Sequence, residues 1–378
     1  MKIPLSRPFW EKAEEEAVQK ALRTTLGTGD GPNSEELSHQ LKELTGAGFA
    51  IAVTSCTHGL ELVMASLGIG SGDEVILPSF TMSSTANAVV LAGATPVFAD
   101  IDPVFANIDP ADVGKRITSR TRGIIVVHYA GMAAPMEMIT NLARRHGLFV
   151  VEDAAHAIGA SYQGRQLGAW SDAGVYSFHG TKNVSCGEGG AVITSREDLS
   201  RFMDVYRANG TNRKAYLEGI VDKYSWVDRG TSFFLSDILA ALAVSQMKKL
   251  GEISRKRSQV AGFYTDFFRK FEPALILPQV PEGSDPNWHI YALRLPTPQQ
   301  RTVFIREMRK RGVEVSYHYV PLHSAPMGAK LAKGKPVRLP VTDLISRTLV
   351  RLPIYPGLTN QEMEYIAASA RGILDRIL

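Results

Sequence analysis

Between residues 50 and 180 the chain repeats one pattern, in which a short run of apolar residues leads into a polar turn and then a segment of helical periodicity. The runs are residues 50–53, EVILP (74–78), TPVFADID (95–102), TRGIIVVHYAG (121–131), LFVVED (148–153) and AGVYSFHG (173–180). Their apolar residues are consecutive, not alternate, so both faces of each strand must be covered. The segments between them, such as 60–67 and 137–145, have the length and spacing of helices. Such an order demands a mostly parallel sheet with helices on both sides, an α/β architecture.

Elements of other kinds flank this block. An extended start over residues 3–9 precedes a helix over 12–26, which stops at GTGDG, and a second helix in SEELSHQLKELTG. Downstream, residues 237–270 read as nearly continuous helix that bridges to a second unit of α+β character. That unit contains HIYALRLP, GVEVSYHYVP and a last helix over about 360–378. The expected division is a large domain over 1–250 and a small one over 251–378.

A length of 378 residues accommodates both, and 44% hydrophobic with 21% charged residues is the composition of an ordinary globular chain. A formal net charge of +4 with scattered basic residues gives no nucleic-acid signature. No apolar run is long enough to span a bilayer, and the acidic helix of the N-terminus begins too early for a signal peptide. Two cysteines, Cys56 and Cys186, make no disulfide framework. A cytoplasmic protein is therefore expected, with no membrane or nucleic-acid partner.

In open parallel sheets the ligand lies beyond the carboxyl ends of the strands. Here those ends deliver Ser55 to His58, Ser79 and Phe80, Asp100 and Asp102, His128 and Tyr129, Asp153 to His156, and Ser177 to Asn183. Asp153 closes a very apolar strand, where an unpaired carboxylate is costly. It requires either a cationic ring such as a cofactor pyridinium, an arginine, or the backbone N–H groups of the following turn. Ser55 to His58 precede a helix, and the free N–H groups of its first turn suit either a phosphate or a simple hydroxyl cap. Lys182 stands just past a strand in SFHGTKN, beside His179, Thr181 and Asn183. A lysine there can form an imine with a carbonyl compound if desolvation and nearby charge favour its neutral form. GTGDG and GIGSG lack the G-x-G-x-x-G spacing of a dinucleotide fingerprint and read as turns. His318 and His323 in YHYVPLHSAP lack the further ligands of a metal site, and line a substrate cleft or form a structural pair. No metal is expected.

VVEDAAHAIGA, GVYSFHGTKN and GEGGAVITS, at these separations, resemble the DegT/DnrJ/EryC1/StrS family of sugar-nucleotide aminotransferases, and the likeness extends over essentially the whole chain. The resemblance implies the aspartate-aminotransferase type of pyridoxal-phosphate (PLP) fold, fold type I. It implies that Lys182 binds PLP covalently and that Asp153 pairs with its pyridinium nitrogen. Phe80 would lie over the ring, Thr57 and His58 would meet the phosphate through their backbone, and Ser177 would add its hydroxyl. His156 would stand beside the ring oxygen with a pH-dependent charge. Family members are dimers, and Asn209 and Asn212 in RANGTNR would reach into the partner's site. Asn183, Arg213, Tyr224, His318 and His323 would shape the substrate site.

The block from GTNR to FLSD, with HYAG and YHYVPLHSAPMG, is most similar to members that make dTDP-4-amino-4,6-dideoxygalactose. The resemblance thus implies L-glutamate as donor and dTDP-4-dehydro-6-deoxy-D-glucose as acceptor. Open alternatives are a 3-keto sugar, a 4-keto sugar aminated with opposite stereochemistry, and a regulatory protein that binds PLP without turnover. Members that dehydrate sugars carry histidine in place of this lysine, so Lys182 argues for transamination. Gly180 departs from the glutamate of close members.

Overall fold

The computed structural model describes residues 1–332 and 336–378. Seven strands form the main sheet: β1 (Phe49–Val53), β2 (Glu74–Pro78), β3 (Thr95–Ala99), β4 (Thr121–Val127), β5 (Phe149–Asp153), β6 (Ala173–Ser177) and β7 (Gly190–Thr194). Their order is β1-β7-β6-β5-β4-β2-β3. From β3 to β6 all neighbours are parallel, whereas β7 is antiparallel to both β6 and β1. The five apolar runs from 74 onward that were read as strands fall where expected, and so does the first, at 50–53. β7 was not anticipated, because GGAVIT follows directly on a glycine turn and shows too few apolar residues to stand out.

Each strand divides its side chains between two layers, as the pleat requires. Val53, Val75, Leu77, Ile125, Val151, Val175 and Val192 pack against Leu60 and Val63 of the helix Cys56–Ser66 and Met203 of Glu197–Tyr206. On the reverse face, Ala52, Tyr176, Ala191 and Ile193 meet the helices Pro32–Thr45 and Asp237–Lys248. Ile76, Ile124, Val126 and Val150 meet Met136–His146. Burial of both faces is the reason the runs carry no alternation.

The long helical stretch expected over 237–270 is two helices, Asp237–Lys248 and Leu250–Phe268, broken at Lys249. The first buries Ala240, Ala243 and Met247 against the sheet. The second sends Val260, Tyr264 and Phe268 into a separate hydrophobic cluster. That cluster also holds the antiparallel pair β8 (Tyr291–Arg294) and β9 (Leu349–Leu352), the helix Pro298–Lys310 and the final helix Asn360–Ile377. Ile3 joins it through a parallel bridge to Val313, so the extended N-terminus ties onto the C-terminal elements.

One close approach positions the site. The helix Cys56–Ser66 starts against β7, and a Cβ added to Gly190 would lie 2.6 Å from Cys56 N and Ser55 C. Both neighbours are backbone, so a side chain could enter only by displacing the helix terminus. Gly190→Ala should therefore lower the unfolding free energy by about 1–3 kcal/mol, read by denaturant titration.

Candidate active site

The carboxyl ends of β1, β2, β5 and β6 open into a cavity of about 390 Å³. Ser55, Cys56 and Thr57 follow β1, and Thr81, Met82 and Ser84 follow β2. Asp153 ends β5 and Ala155 and His156 follow it, while Ser177 ends β6 and His179 and Lys182 follow it. The far wall comes from the C-terminal elements: His289, His318, Tyr319 and Arg351.

Asp153 is buried and ends β5. Its Oδ2 accepts from Thr85 Oγ1 at 2.7 Å and its Oδ1 from Ala155 N at 3.2 Å. No arginine pairs with it, so of the three partners considered the local backbone cap is present. Burial pushes its carboxyl above the usual range, against the pull of Thr85, the Ala155 amide, Lys182 and His128. Lys182 is half-buried, and among the described residues its Nζ has no hydrogen-bond or ion-pair partner. Burial pushes its ammonium below the usual lysine range, opposed by Cys56 and Asp153. The Cys56 thiol, 4.0 Å from Asp153 Oδ1, is held protonated by burial and by that carboxylate.

Ser55 caps the helix Cys56–Ser66 by accepting from His58 N at 3.1 Å. That leaves the N–H groups of Cys56 and Thr57 as the free donors of the first turn. His58 is thus corrected as a cavity residue. Its N–H is spent on Ser55, its ring stacks on Phe233 at 4.3 Å, and its Nδ1 meets Thr54 Oγ1 at 2.6 Å. Thr57 and Ser177 do line the cavity.

Phe80 is corrected as well. It is 1% exposed and packs behind the wall on Tyr129 and Tyr319, with centroids at 5.1 and 5.6 Å. The side chain presented to the cavity is Met82, 57% exposed. Asn183 is buried and is a strut: its Nδ2 donates to Asn287 O at 3.0 Å and its Oδ1 lies 2.9 Å from His289 Nδ1. His323 lies outside the cavity, bonded through Nδ1 to Ser79 Oγ at 2.7 Å. Of that histidine pair only His318 reaches the cavity, with Nδ1 3.3 Å from Tyr129 Oη.

Asn212, Arg213 and Tyr224 also lie away from the cavity of their own chain. Asn212 organises its loop, donating to Lys223 O at 3.0 Å and accepting from Ser225 N at 2.7 Å. Arg213 sits over the Phe234 ring at 5.6 Å and lines a second cavity of about 370 Å³. Sequence reasoning missed Met82, His289, Tyr319 and Arg351. The last three come from segments more than 100 residues beyond Lys182, with no local motif to mark them.

The residues present fit the cofactor that the family resemblance implies. A buried carboxylate without a cation suits a pyridinium, an unpaired half-buried lysine suits a carbonyl, and free first-turn N–H groups with the Thr57 and Ser177 hydroxyls suit a phosphate. The chain can therefore hold an aromatic phosphate ester with a reactive aldehyde.

The sequence pattern described as the DegT/DnrJ/EryC1/StrS aminotransferase family matches residues 9–371. The spore coat polysaccharide biosynthesis protein SpsC of Bacillus subtilis is 33% identical over 98% of this chain and 97% of its own. Among solved structures, DesV of S. venezuelae, in complex with a ketimine intermediate, superposes with a TM-score of 0.89 at 31% identity, covering 99% of this chain and 100% of that one. Helicobacter pylori PseC, an aminotransferase involved in the biosynthesis of pseudoaminic acid, gives 0.91 at 26% identity, covering 99% and 100%.

Three cavity histidines lie ring to ring, His156 4.4 Å from His289 and 6.2 Å from His318. Ala130 N donates to His156 Nδ1 at 3.4 Å, which leaves the proton on Nε2, facing Tyr319 Oη at 3.4 Å. Burial, then Lys182 and the other two rings, holds His156 well below the usual histidine range. Burial and Lys182 do the same for His289, and burial with Arg351 pushes His318 down to about 2. The expected pH-dependent charge on His156 is thereby corrected: the ring is neutral throughout the physiological range. Unfolding restores the ordinary affinity for a proton, so stability is complete above about pH 6.5 and is lost as pH falls below it. For the cofactor-free protein, unfolding free energy should fall between pH 6 and 5, each histidine contributing at most about 1.4 kcal/mol per pH unit. Denaturant titration against pH checks this, and His289→Asn should flatten the slope.

Proposed function

This chain belongs to the DegT/DnrJ/EryC1/StrS aminotransferase family, a family of PLP-dependent sugar aminotransferases, and from that premise we propose that it moves the amino group of L-glutamate onto a nucleotide-linked 4-keto-6-deoxy sugar. The preferred acceptor is dTDP-4-dehydro-6-deoxy-D-glucose, and the product dTDP-4-amino-4,6-dideoxy-D-galactose. One observation carries the reading: a Lys182 Nζ and a helix N-terminus that have no partner among the described residues share one cavity with a buried Asp153.

Asp153 would hold the pyridinium N–H, and the Thr57 N–H with the Thr57 and Ser177 hydroxyls would hold the phosphate. Met82, not Phe80, would cover a face of the ring. When bound, PLP supplies the carbonyl that takes the amino group and a ring that accepts electrons from the carbon being deprotonated. Lys182 Nζ takes the proton from the donor Cα and later delivers one to the sugar carbon. It serves as a base only when neutral, the form that its burial favours. Its fixed place on one wall determines the face of delivery, hence an axial or equatorial amine. His156 stays neutral, so it can offer its Nε2–H without adding a charge beside Lys182.

We also read the enzyme as a cytoplasmic homodimer with a large domain over 1–250 and a small one over 251–378. The segment carrying Asn212, Arg213 and Tyr224 exposes Leu217, Ile220 and Trp226, with Trp226 80% exposed. A second copy of the chain would cover these apolar side chains, and would receive Asn212 against the cofactor phosphate and Arg213 and Tyr224 at the sugar. Among the described residues no helix is long and apolar enough to cross a membrane.

Incubation of the PLP-loaded protein with L-glutamate and defined keto-sugar nucleotides, followed by NMR of the product, tests the assignment. An axial amine at C4 is expected. A 3-amino product would instead select a 3-keto acceptor, and an equatorial 4-amino product a 4-keto sugar aminated with opposite stereochemistry.

A further inference from the structure

His289 lines the cavity, and its surroundings give its two ring nitrogens opposite polarity. Asn183 Nδ2 donates to Asn287 O at 3.0 Å, a carbonyl that can only accept, and this decides which end of the Asn183 amide faces the imidazole. That end is Oδ1, 2.9 Å from His289 Nδ1. An amide oxygen cannot donate, so the proton between them belongs to Nδ1. Burial and Lys182 hold the ring well below the usual histidine range, so it carries one proton only and Nε2 keeps its lone pair. Nε2 has no hydrogen-bond partner among the described residues and is not sealed in the interior, so it is open to the cavity.

The neighbouring rings differ. Ala130 N fixes His156 the other way, with its proton on Nε2. The partner of His318 is the Tyr129 hydroxyl, which can donate or accept and so fixes nothing. His289 is also held from behind: Asn287 Oδ1 accepts from its backbone N–H at 3.0 Å, and Arg257 Nη1 donates to its carbonyl oxygen at 3.2 Å. Asn287 Nδ2 is itself tied to His156 O and Ile158 O, both at 2.8 Å. The result is an acceptor set rigidly in a cavity whose other polar groups include the donors Lys182, Arg351 and His156 Nε2–H.

We propose that His289 Nε2 accepts a hydrogen bond from the sugar hydroxyl next to the keto carbon, an inference that rests on the reading of a keto-sugar nucleotide as amino acceptor. Few groups that enter this cavity can donate. The carboxylates of L-glutamate, the sugar diphosphate, and the phosphate and ring oxygen of PLP all accept. The amino group in transit gives up its hydrogens as it is transferred, and the thymine N–H lies at the far end of the nucleotide. The sugar hydroxyls remain, and the one next to the reacting carbon must enter the enclosed space around Lys182. In a 4-keto-6-deoxy sugar it is the hydroxyl on C3, because the other flanking carbon, C5, bears the methyl group. His289 lies in that space, since it shares the cavity with Lys182 and Lys182 is among the charges that act on it. A hydroxyl held at C3 limits how the sugar turns, so that Lys182 meets a single face of C4. The donor half-reaction does not use this contact.

Two measurements test the assignment. In cofactor-free protein at neutral pH, the nitrogen-15 spectrum of the histidine rings, with His289→Phe to identify the signal, should show His289 protonated on Nδ1 alone. A ring protonated on Nε2 overturns the proposal. In the second, the pyridoxamine-phosphate forms of wild type and His289→Phe are titrated with dTDP-4-dehydro-6-deoxy-D-glucose and with its 3-deoxy analogue, following the return of yellow absorbance. The PLP forms are titrated with L-glutamate. Expected are a roughly 5- to 50-fold higher half-saturating sugar for His289→Phe, a similar loss for wild type with the analogue, and little discrimination between the two sugars by the variant. The glutamate titration should change less than about threefold, and His289→Gln, whose amide oxygen can accept, should recover part of the sugar loss. An unchanged sugar titration in His289→Phe, or an equal loss for glutamate and sugar, overturns the assignment. The wild-type comparison of the two sugars needs no substitution and so stands even if a variant folds poorly. An analogue as effective as the parent sugar removes the contact and leaves the acceptor reading intact, whereas a wild-type protein that responds to no keto-sugar nucleotide overturns that reading, and the contact with it.

Discussion

Asp153 ends a central strand with its carboxylate buried and with hydrogen bonds from Thr85, the Ala155 amide and the Cys56 thiol. None of these partners is charged. In a low-dielectric interior that arrangement is stable only if the acid is protonated or a cation comes to it. The rest of the site follows from supplying the cation by binding: the strand that holds Asp153 is flanked by the parallel strands β4 and β6, with Lys182 beyond β6, and β1, antiparallel to β7 and so aligned with β6, brings the helix N-terminus to the same end of the sheet. Gly190 keeps that terminus against β7, so a ring gripped by Asp153 has donors for a phosphate within the same cavity. The electrostatics on the opposite wall are arranged the other way, with three imidazoles held neutral and one guanidinium left without an acid.

The parts of this architecture visible in the amino-acid sequence are those with a local physical signature. Strands buried on both faces must be continuously apolar, so EVILP and LFVVED announce themselves. Glycine after the helix Pro32–Thr45 announces its end, and Gly46 adopts the left-handed conformation there, with φ 69°. Lys182 and Asp153 were legible because each directly follows or ends such a strand. β9 was not, since LVRL carries a charge at its third position, and that charge is Arg351.

Errors arose where the chain is irregular. In SFTMSS the chain bends over residues 79–81 and enters the helix Ser83–Leu91, so whether Phe80 or Met82 faces the cavity is set by that bend and not by any regular periodicity. The family resemblance suggested the aromatic ring; packing placed it in the interior on Tyr129 and Tyr319, and turned the thioether outward. Asn183 and His58 are adjacent to functional residues in sequence but spend their polar atoms on structure, Asn183 on His289 and the His58 amide on Ser55. His289, Tyr319 and Arg351 arrive by tertiary folding from another hydrophobic cluster, which no spacing around Lys182 could reveal.

The central claim is that Lys182, of all the lysines, is the covalent seat of the cofactor beside Asp153. Borohydride reduction of the PLP-loaded protein, followed by proteolysis and peptide mass mapping, tests it most directly. The account predicts one phosphopyridoxyl group, on Lys182, and its disappearance in Lys182→Ala. A group on a different lysine, or a yellow protein with no reducible attachment at Lys182, would contradict it.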